Sequence, residues 1–288
     1  MRALHTPPPI ARVLSADGVN LATYDFAPAH AHGDAPGVVH SAAPDAAPDA
    51  PVNAPVVLAV HGFASGALSN WQATGWVRDL TRSGYRVIAI DQRGHGESDK
   101  PHSPDAYTME ILVADVLSVL DAYLLDEVAY LGYSLGARVG WHSSLAFPTR
   151  ISRAILGGIP DGDPLTRFRL DQAHDQIDNG IAATDPLTKA YLTMAGHIPD
   201  NDLSALVALV EGMRGSTQPD PANPPLQPLF FATGSDDSIL EKSRGLAAST
   251  PNAEFFEIPG RNHFNAPTSR EFRAAGLAFL DAGRGVSR

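Results

Sequence analysis

The sequence predicts an α/β fold in which a mostly parallel, doubly wound sheet forms the core and a helical cap is inserted between two strands. Three observations lead to this prediction. Short unbroken apolar runs recur along the chain and are typical of parallel strands covered on both faces. Segments with helical spacing alternate with these runs. Residues 161–227, about a quarter of the chain, have helical patterns but no buried strand.

The predicted elements follow one another in a simple order. A hairpin opens the fold, because residues 12–15 and 21–24 have strand patterns and are joined by an Asp17-Gly18 turn. Six buried apolar runs then supply the remaining strands, at residues 55–60, 87–90, 128–131, 153–156, 229–232 and 254–258. The clearest helical patterns lie at 107–123 and, in the cap, at 203–213.

Composition divides the chain further. Residues 28–55 consist of Ala, Pro, Asp, His and Gly with almost no large apolar side chain, so they are predicted to form a flexible surface loop. The expected organisation is therefore a core built from residues 1–160 and 228–288 and a cap at 161–227. With 288 residues, of which 44% are hydrophobic, the chain is long enough for one domain with such an insertion.

The charge and the cysteine count exclude several classes of function. Asp and Glu number 32 against 21 Lys and Arg, and the net charge of −11 repels nucleic acid and anionic membranes. The chain has no cysteine, which excludes disulfides, thiolate metal sites and a cysteine nucleophile. Residues 1–9 contain no apolar stretch typical of a signal peptide, so we expect a soluble, cytoplasmic protein without nucleic-acid or membrane partners.

The G-x-S-x-G motif of residues 132–136 is the strongest functional signal. It lies directly between a predicted strand and a predicted helix, where a tight turn needs residues without bulk two positions before and after the serine. Such a turn exposes Ser134 at a helix N-terminus as a candidate nucleophile. The backbone N–H of Leu135 then points towards the oxygen that becomes negative during the reaction.

With this turn and its context, the sequence resembles the α/β-hydrolase superfamily, in its serine-nucleophile, esterase-like branch, over nearly all of the chain except the 28–55 loop. Epoxide hydrolases and haloalkane dehalogenases of this fold carry Asp at the position of Ser134. The resemblance therefore implies neither of these activities. It implies a cofactor-independent serine hydrolase that acts on a small carboxylic ester or related acyl compound.

A serine nucleophile needs a base and an acid that orients the base, in the chain order Ser, acid, His. Turns that begin with glycine follow the last two predicted strands and end at Asp237 and His263. The family pattern G-x-x-D selects Asp237 as the acid and leaves Asp236 as an alternative. Some relatives place the acid after the preceding strand, which keeps Asp161 or Asp163 as a third possibility.

Two loops near the predicted site are interpreted as structural or as donors to the oxyanion. His61-Gly62-Phe63 resembles the oxyanion loop of the family, which implies that the Phe63 N–H is a second donor beside Leu135 and that His61 holds the loop. In the loop of residues 91–98 we expect a structural pair between Asp91 and Arg93.

The lining of the substrate pocket is predicted only in outline. Trp71 either lines an acyl pocket or packs against the first helix. Four cap residues are candidates for an apolar chamber: Phe168, Tyr191, Met194 and Met213.

No cofactor or metal is predicted. The H-x-H-x-D pattern of residues 30–34 lies in the low-complexity loop, which cannot supply the supporting groups that metal ligands need. There is no dinucleotide-binding fingerprint after a strand, no P-loop and no H-E-x-x-H motif.

Other functions remain open at this level. Gly66-Ala67 and Asn70-Trp71 resemble a carbon–carbon bond hydrolase subgroup, although the spacing is shorter here. Lactonase, thioesterase and perhydrolase activities fit the same residues. A receptor that uses the pocket to sense a small molecule without turnover is the alternative from another class.

Overall fold

A computed structural model describes residues 9–29, 54–159, 167–198 and 201–284. Within them, one sheet has eight strands in the order β1-β2-β4-β3-β5-β6-β7-β8. Strands β1 and β2 pair antiparallel, β2 is antiparallel to β4, and all other neighbours are parallel. The strands are β1 Ile10–Leu14, β2 Asn20–Phe26, β3 Val56–Val60, β4 Arg86–Ile90, β5 Val128–Tyr133, β6 Ile151–Gly157, β7 Leu229–Gly234 and β8 Ala253–Ile258.

Eight α-helices lie in the described residues. They are α1 Trp76–Arg82, α2 Met109–Ala122, α3 Leu135–Ala146, α4 Leu170–Asn179, α5 Pro186–Gly196, α6 Leu203–Gly212, α7 Leu240–Ala248 and α8 Arg270–Arg284. Helices α4, α5 and α6 all lie between β6 and β7. The mostly parallel sheet with inserted helices confirms the predicted fold class.

The sheet separates two apolar layers because alternate residues of each central strand point to opposite faces. In β3, Leu58 and Val60 join the layer formed with α2, α3 and the inserted helices, whereas Val57 and Ala59 join the layer formed with α1 and α8. All four side chains are at most 1% exposed. Burial on both faces explains why this strand is an unbroken apolar run in the sequence.

This topology brings the important loops to one edge of the sheet. Strands β3, β5, β7 and β8 are parallel, so the residues that follow each of them emerge at the same, carboxyl edge. Ligands of open α/β sheets bind at this edge.

Several predictions concern residues outside the described ranges. Most of the 28–55 loop, including its H-x-H-x-D pattern, and the alternative acids Asp161 and Asp163 lie there. Within the described ranges, no helix combines the length and the apolar character that crossing a membrane requires.

The loop after β4 is held by ion pairs that differ from the predicted one. Arg93 is 1% exposed. Its Nε and Nη2 donate to the Asp115 carboxylate of α2, both at 2.7 Å. Its Nη1 and Nη2 donate to the carboxylate of Asp17 in the first turn. The expected pairing of Arg93 with Asp91 is wrong. Asp91 instead accepts hydrogen bonds from the Tyr24 hydroxyl and from backbone amides, because it turns inward beneath the loop.

Replacing Asp115 by Ala is predicted to lower the free energy of unfolding by about 3 kcal/mol, because it removes one of the two carboxylate partners of a buried guanidinium. Urea unfolding measures the loss. The matched control is Asp121→Ala, which removes an Arg150 partner that is 60% exposed and is expected to cost at most about 1 kcal/mol. Equal losses in the two variants would contradict the structural role of the Arg93 pair.

Candidate active site

Ser134 occupies a strained turn between β5 and α3. Its backbone has φ 52° and ψ −114°, a conformation that residues with a side chain rarely adopt. The turn is held in place because the Ser134 N–H donates to the Gly157 carbonyl at 2.8 Å, and the Ser134 carbonyl accepts from the first turn of α3. Strain of this kind is common where a side chain must be presented for chemistry.

The two glycines of the motif are required by close backbone contacts. A Cβ on Gly132 would lie 2.5 Å from the Gly136 carbonyl oxygen, and a Cβ on Gly136 would lie 2.1 Å from the Val60 carbonyl oxygen. Backbone atoms cannot move away as a flexible side chain can. The spacing seen in the sequence therefore reflects how tightly α3 packs against the end of β3.

His263 connects Ser134 to Asp237. Its Nε2 lies 3.0 Å from Ser134 Oγ, and its Nδ1 lies 2.8 Å from Asp237 Oδ2. A carboxylate only accepts hydrogen bonds, so Nδ1 carries the proton and Nε2 is free to accept from the hydroxyl. The other Asp237 oxygen accepts from the Ile239 N–H at 3.1 Å, which fixes the carboxylate.

Asp236 does not take part in this arrangement. Its side chain is exposed and accepts a hydrogen bond from the neighbouring Ser235 hydroxyl. Of the two adjacent acids, the structure brings Asp237 to the imidazole. The Asp237 side chain is 2% exposed, whereas that of His263 is 17% exposed and opens towards the cavity.

The loop that carries His263 is fixed by its own hydrogen bonds. The Asn262 Oδ1 accepts from the N–H groups of Phe264 and Asn265, and the Asn265 side chain accepts from the Asn262 N–H. The Tyr133 hydroxyl, from the end of β5, donates to the His263 carbonyl at 2.6 Å. Tyr133 thus ties the imidazole loop to the serine turn, a contribution that the sequence reasoning missed.

The loop after β3 passes directly beside Ser134. A Cβ on Gly62 would lie only 3.2 Å from the Ser134 Cβ, so glycine permits this approach. The next backbone N–H is that of Phe63, and the Leu135 N–H opens helix α3. In the described part of the chain neither amide has a hydrogen-bond acceptor. Both predicted oxyanion donors therefore lie next to Ser134 with their N–H groups unpaired.

Two buried histidines hold this loop. His61 Nδ1 lies 2.7 Å from the Gly62 carbonyl while its Nε2 accepts from the Gln92 N–H at 3.0 Å. His95 Nδ1 lies 3.0 Å from the Arg93 carbonyl while its Nε2 accepts from the Ala64 N–H at 3.0 Å. Each ring accepts at one nitrogen, so each is neutral. Burial lowers the pKa of His61 to about 4 and the pKa of His95 to about 3.

A cavity of about 80 Å³ opens above Ser134 and His263. Two of the predicted cap residues, Tyr191 and Met194, line it. The remaining lining residues come from the core, namely Gly62, Phe63, Ser65, Asn70, Tyr133, Phe264 and Pro267. The sequence reasoning missed most of these, although Phe264 directly follows the predicted base.

Other pocket candidates are not among the lining residues. Trp71 is fully buried and packs edge-on against Trp76 of α1 at 6.2 Å between ring centroids, so its assignment to the pocket is corrected to core packing. Phe168 lies behind Tyr191, with 6.5 Å between their rings, and supports it from the core side. Met213 is likewise buried in the apolar layer.

Metal binding has no structural support in the described ranges, since they contain no group of three His, Asp or Glu side chains that could hold an ion.

The chain has the α/β-hydrolase fold, and Ser134, His263 and Asp237 are hydrogen-bonded in series at the carboxyl edge of its sheet. Residues 55–189 match the family described as alpha/beta hydrolase fold. This match covers a little under half of the chain.

Individual known proteins are similar to parts or to nearly all of the chain. Epoxide hydrolase B of Mycobacterium tuberculosis is 36% identical over 105 residues, which are 36% of this chain and 29% of that protein. The match thus spans less than a third of this relative. Two solved structures share the fold, each with a TM-score of 0.68. A hydrolase from Pseudomonas aeruginosa PA01 is 21% identical, and the match covers 94% of this chain and 98% of that chain. A thermophilic esterase from Thermogutta terrifontis is 20% identical, and the match covers 95% of this chain and 98% of that chain.

The buried histidines predict a specific acid sensitivity. Unfolded histidine has a pKa of about 6.5, so below that pH the unfolded chain binds protons that the folded rings of His61 and His95 do not. The free energy of unfolding is expected to fall as the pH drops from about 6.5 towards 4, by roughly 2 kcal/mol per histidine at pH 5. Urea unfolding at pH 7.5 and pH 5 measures this loss.

The variant His95→Gln keeps an acceptor and removes one titrating group, so its stability should depend less steeply on pH than that of the wild type. The exposed His197→Gln serves as the matched control. An unchanged slope in His95→Gln would show that the buried ring does not cause the acid sensitivity.

Proposed function

We propose that the protein is a serine hydrolase that cleaves small carboxylic esters through an acyl-enzyme. The observation that carries this proposal is the hydrogen-bonded series Ser134, His263 and Asp237, with Ser134 and His263 lining a cavity. A hydroxyl becomes a competent nucleophile when a neighbouring base removes its proton and a third group orients that base.

The geometry supports a two-step reaction. Ser134 Oγ attacks the ester carbonyl while His263 Nε2 takes its proton, and Asp237 stabilises the resulting imidazolium. The carbonyl oxygen becomes negative and accepts hydrogen bonds from the N–H groups of Phe63 and Leu135. His263 then gives the proton to the departing alcohol. In the second step His263 removes a proton from water as the water attacks the acyl-enzyme carbonyl. His263 then returns this proton to Ser134 Oγ as the bond between Oγ and the acyl carbon breaks, which releases the acid and the free serine.

The nucleophile type favours acyl substrates over epoxides, although several curated relatives are named epoxide hydrolases. A carboxylate that opens an epoxide forms an ester, which water can cleave at its carbonyl. A serine that opens an epoxide would form an ether, which has no carbonyl for water to attack, and the enzyme would be blocked. With Ser134 in this position, turnover requires a substrate that already contains a carbonyl.

The cavity favours a small and uncharged acyl group. Its volume is about 80 Å³, and the described residues that line it include no Lys, Arg, Asp or Glu. Burying a charged group without a partner is costly, so a free carboxylate or ammonium on the substrate is disfavoured there. Short-chain esters therefore fit the site best.

Replacing Ser134 by Ala is predicted to abolish both ester hydrolysis and labelling by a fluorophosphonate probe. The melting temperature should change little, because the hydroxyl contributes to no core packing. A series of p-nitrophenyl esters from acetate to decanoate measures the activity, and we expect the highest kcat/KM at two to four carbons, on the order of the cavity's size.

The matched control is Ser65→Ala, since Ser65 lines the same cavity while its hydroxyl lies 3.3 Å from that of Ser69, away from the triad. This variant should still be labelled. Substantial ester turnover in Ser134→Ala, or no labelling of the wild-type protein, would overturn the proposal.

The acid is tested by a pair of adjacent substitutions. Asp237→Asn should lower kcat by about 10⁴, because the amide stabilises the wrong imidazole tautomer and no imidazolium. Asp236→Asn should retain nearly full activity, since its exposed side chain contacts Ser235 and not the imidazole. Steady-state kinetics of both variants on one ester give the comparison. Equal losses in both would contradict the assignment.

A further inference from the structure

Phe264 lies at the mouth of the cavity beside Ser134 and His263. Among the described residues that line this cavity, Phe264 alone is largely exposed, at 55%, whereas the others are buried or half-buried. The other large apolar side chains that are exposed in the described ranges lie outside the cavity lining. An apolar ring in contact with water gains free energy when an apolar group covers it. Phe264 thus offers a contact surface to a molecule that enters the cavity.

The ring of Phe264 is held by its neighbours. Its backbone N–H donates to Asn262 Oδ1 at 3.0 Å. The ring packs against the His263 imidazole, with 5.9 Å between centroids and 85° between planes, and against the Tyr191 ring at 5.9 Å and 65°. Tyr191 in turn packs against Phe63 at 5.4 Å. Because these contacts already orient the ring, little side-chain entropy is lost when a substrate covers it.

The proposed reaction brings the alcohol part of the ester to this ring. His263 Nε2, which lies 3.0 Å from Ser134 Oγ, gives its proton to the departing alcohol. The alcohol oxygen must therefore come within hydrogen-bond reach of Nε2, while the acyl group stays bonded to Ser134. The first carbons of the alcohol then lie beside the imidazole against which Phe264 packs.

The size of the cavity points the same way. An apolar cavity of roughly 150 Å³ holds one benzene ring, whereas this cavity has about 80 Å³. It accommodates a small acyl group but not a bulky alcohol as well. A larger alcohol extends to the mouth, where Phe264 is exposed. The described lining residues include no Lys, Arg, Asp or Glu, so an uncharged alcohol is favoured there.

We propose that Phe264 forms a subsite for the alcohol part of the substrate and makes the enzyme prefer short-chain esters of aromatic alcohols. This inference rests on the proposed ester hydrolysis. Aromatic rings attract one another in edge-to-face or offset arrangements, beyond the effect of the apolar area that they bury. Phe264 and Tyr191 offer two such rings to an aryl group at the mouth. A saturated ring of equal size covers the same surface but lacks this attraction.

Benzyl acetate and cyclohexylmethyl acetate test the proposal as a pair of esters of similar size. Both form the same acetyl-enzyme, so they differ only in the alcohol that departs. Acid release gives kcat/KM for each ester with the wild type and with Phe264→Leu, which keeps an apolar side chain without the ring. The preference for benzyl acetate should fall by about fivefold in Phe264→Leu.

The matched control is Leu226→Ala, because Leu226 is an apolar side chain that is 74% exposed and lies outside the cavity lining. This variant should leave the ratio unchanged. Comparing ratios between proteins cancels the intrinsic reactivity of each ester. The melting temperature of Phe264→Leu should change little, since the ring is more than half exposed. Labelling by a fluorophosphonate shows that the serine of the variant remains reactive.

Two results would overturn the proposal. An unchanged ratio in Phe264→Leu, even with an equal loss of kcat/KM on both esters, would show that the ring only supports His263. Methyl phenylacetate and methyl cyclohexylacetate carry the corresponding rings in the acyl part. A fall in preference confined to this second pair would assign Phe264 to the acyl group and not to the alcohol.

A binding measurement separates this inference from the ester hydrolysis on which it rests. Benzyl alcohol and cyclohexylmethanol are titrated by NMR into the wild type and into Phe264→Leu, which requires no turnover. If the wild type hydrolyses none of the esters and resists labelling, the proposed function fails. The subsite is then judged by binding alone, where tighter binding of benzyl alcohol that disappears with Phe264→Leu supports it. A difference between the alcohols that is absent, or that survives the substitution, overturns it.

Discussion

The contact between the first turn of α3 and the end of β3 is the constraint on which the site depends. Gly136 lies so close to the Val60 carbonyl that any side chain would push the helix away. Because the contact is between backbones, it sets the position of Ser134 relative to the loop at Gly62. The positions of the Phe63 and Leu135 amides, of His263 and of the cavity are all defined relative to this one junction.

Two buried histidines outside the cavity also determine the shape of the site. His61 and His95 each use one ring nitrogen as an acceptor for a backbone N–H of the surrounding loops. Only a neutral imidazole can do so, and burial keeps both rings neutral by lowering the pKa. The shape of the loop at Phe63 thus depends on the protonation of residues outside the triad. Protonation of either imidazole would therefore remove a hydrogen bond that holds the backbone of these loops.

Local patterns in the sequence were sufficient for the sheet and for the approximate placement of Ser134, Asp237 and His263, because each follows a strand in a short turn and parallel strands bring such turns together. Contacts between distant segments were not predictable in this way. The partners of Arg93 come from the first hairpin and from α2. From the sequence, Asn70 belongs only to a resemblance to carbon–carbon bond hydrolases, and Trp71 fits either the pocket or the core. The π-turn formed by Leu68–Gln72 places Asn70 at the cavity and Trp71 in the core.

Tyr191 gives the inserted helices a direct contact with both halves of the reaction centre. Its ring packs against Phe63 of the loop after β3 at 5.4 Å and against Phe264, the neighbour of His263, at 5.9 Å. The cap and the core are therefore not interchangeable modules. A cap transplanted from a protein with the same fold would have to match these two aromatic contacts. Substitution of Tyr191 during evolution is accordingly restricted. A change of substrate selectivity is easier to gain at cap residues that contact only the substrate.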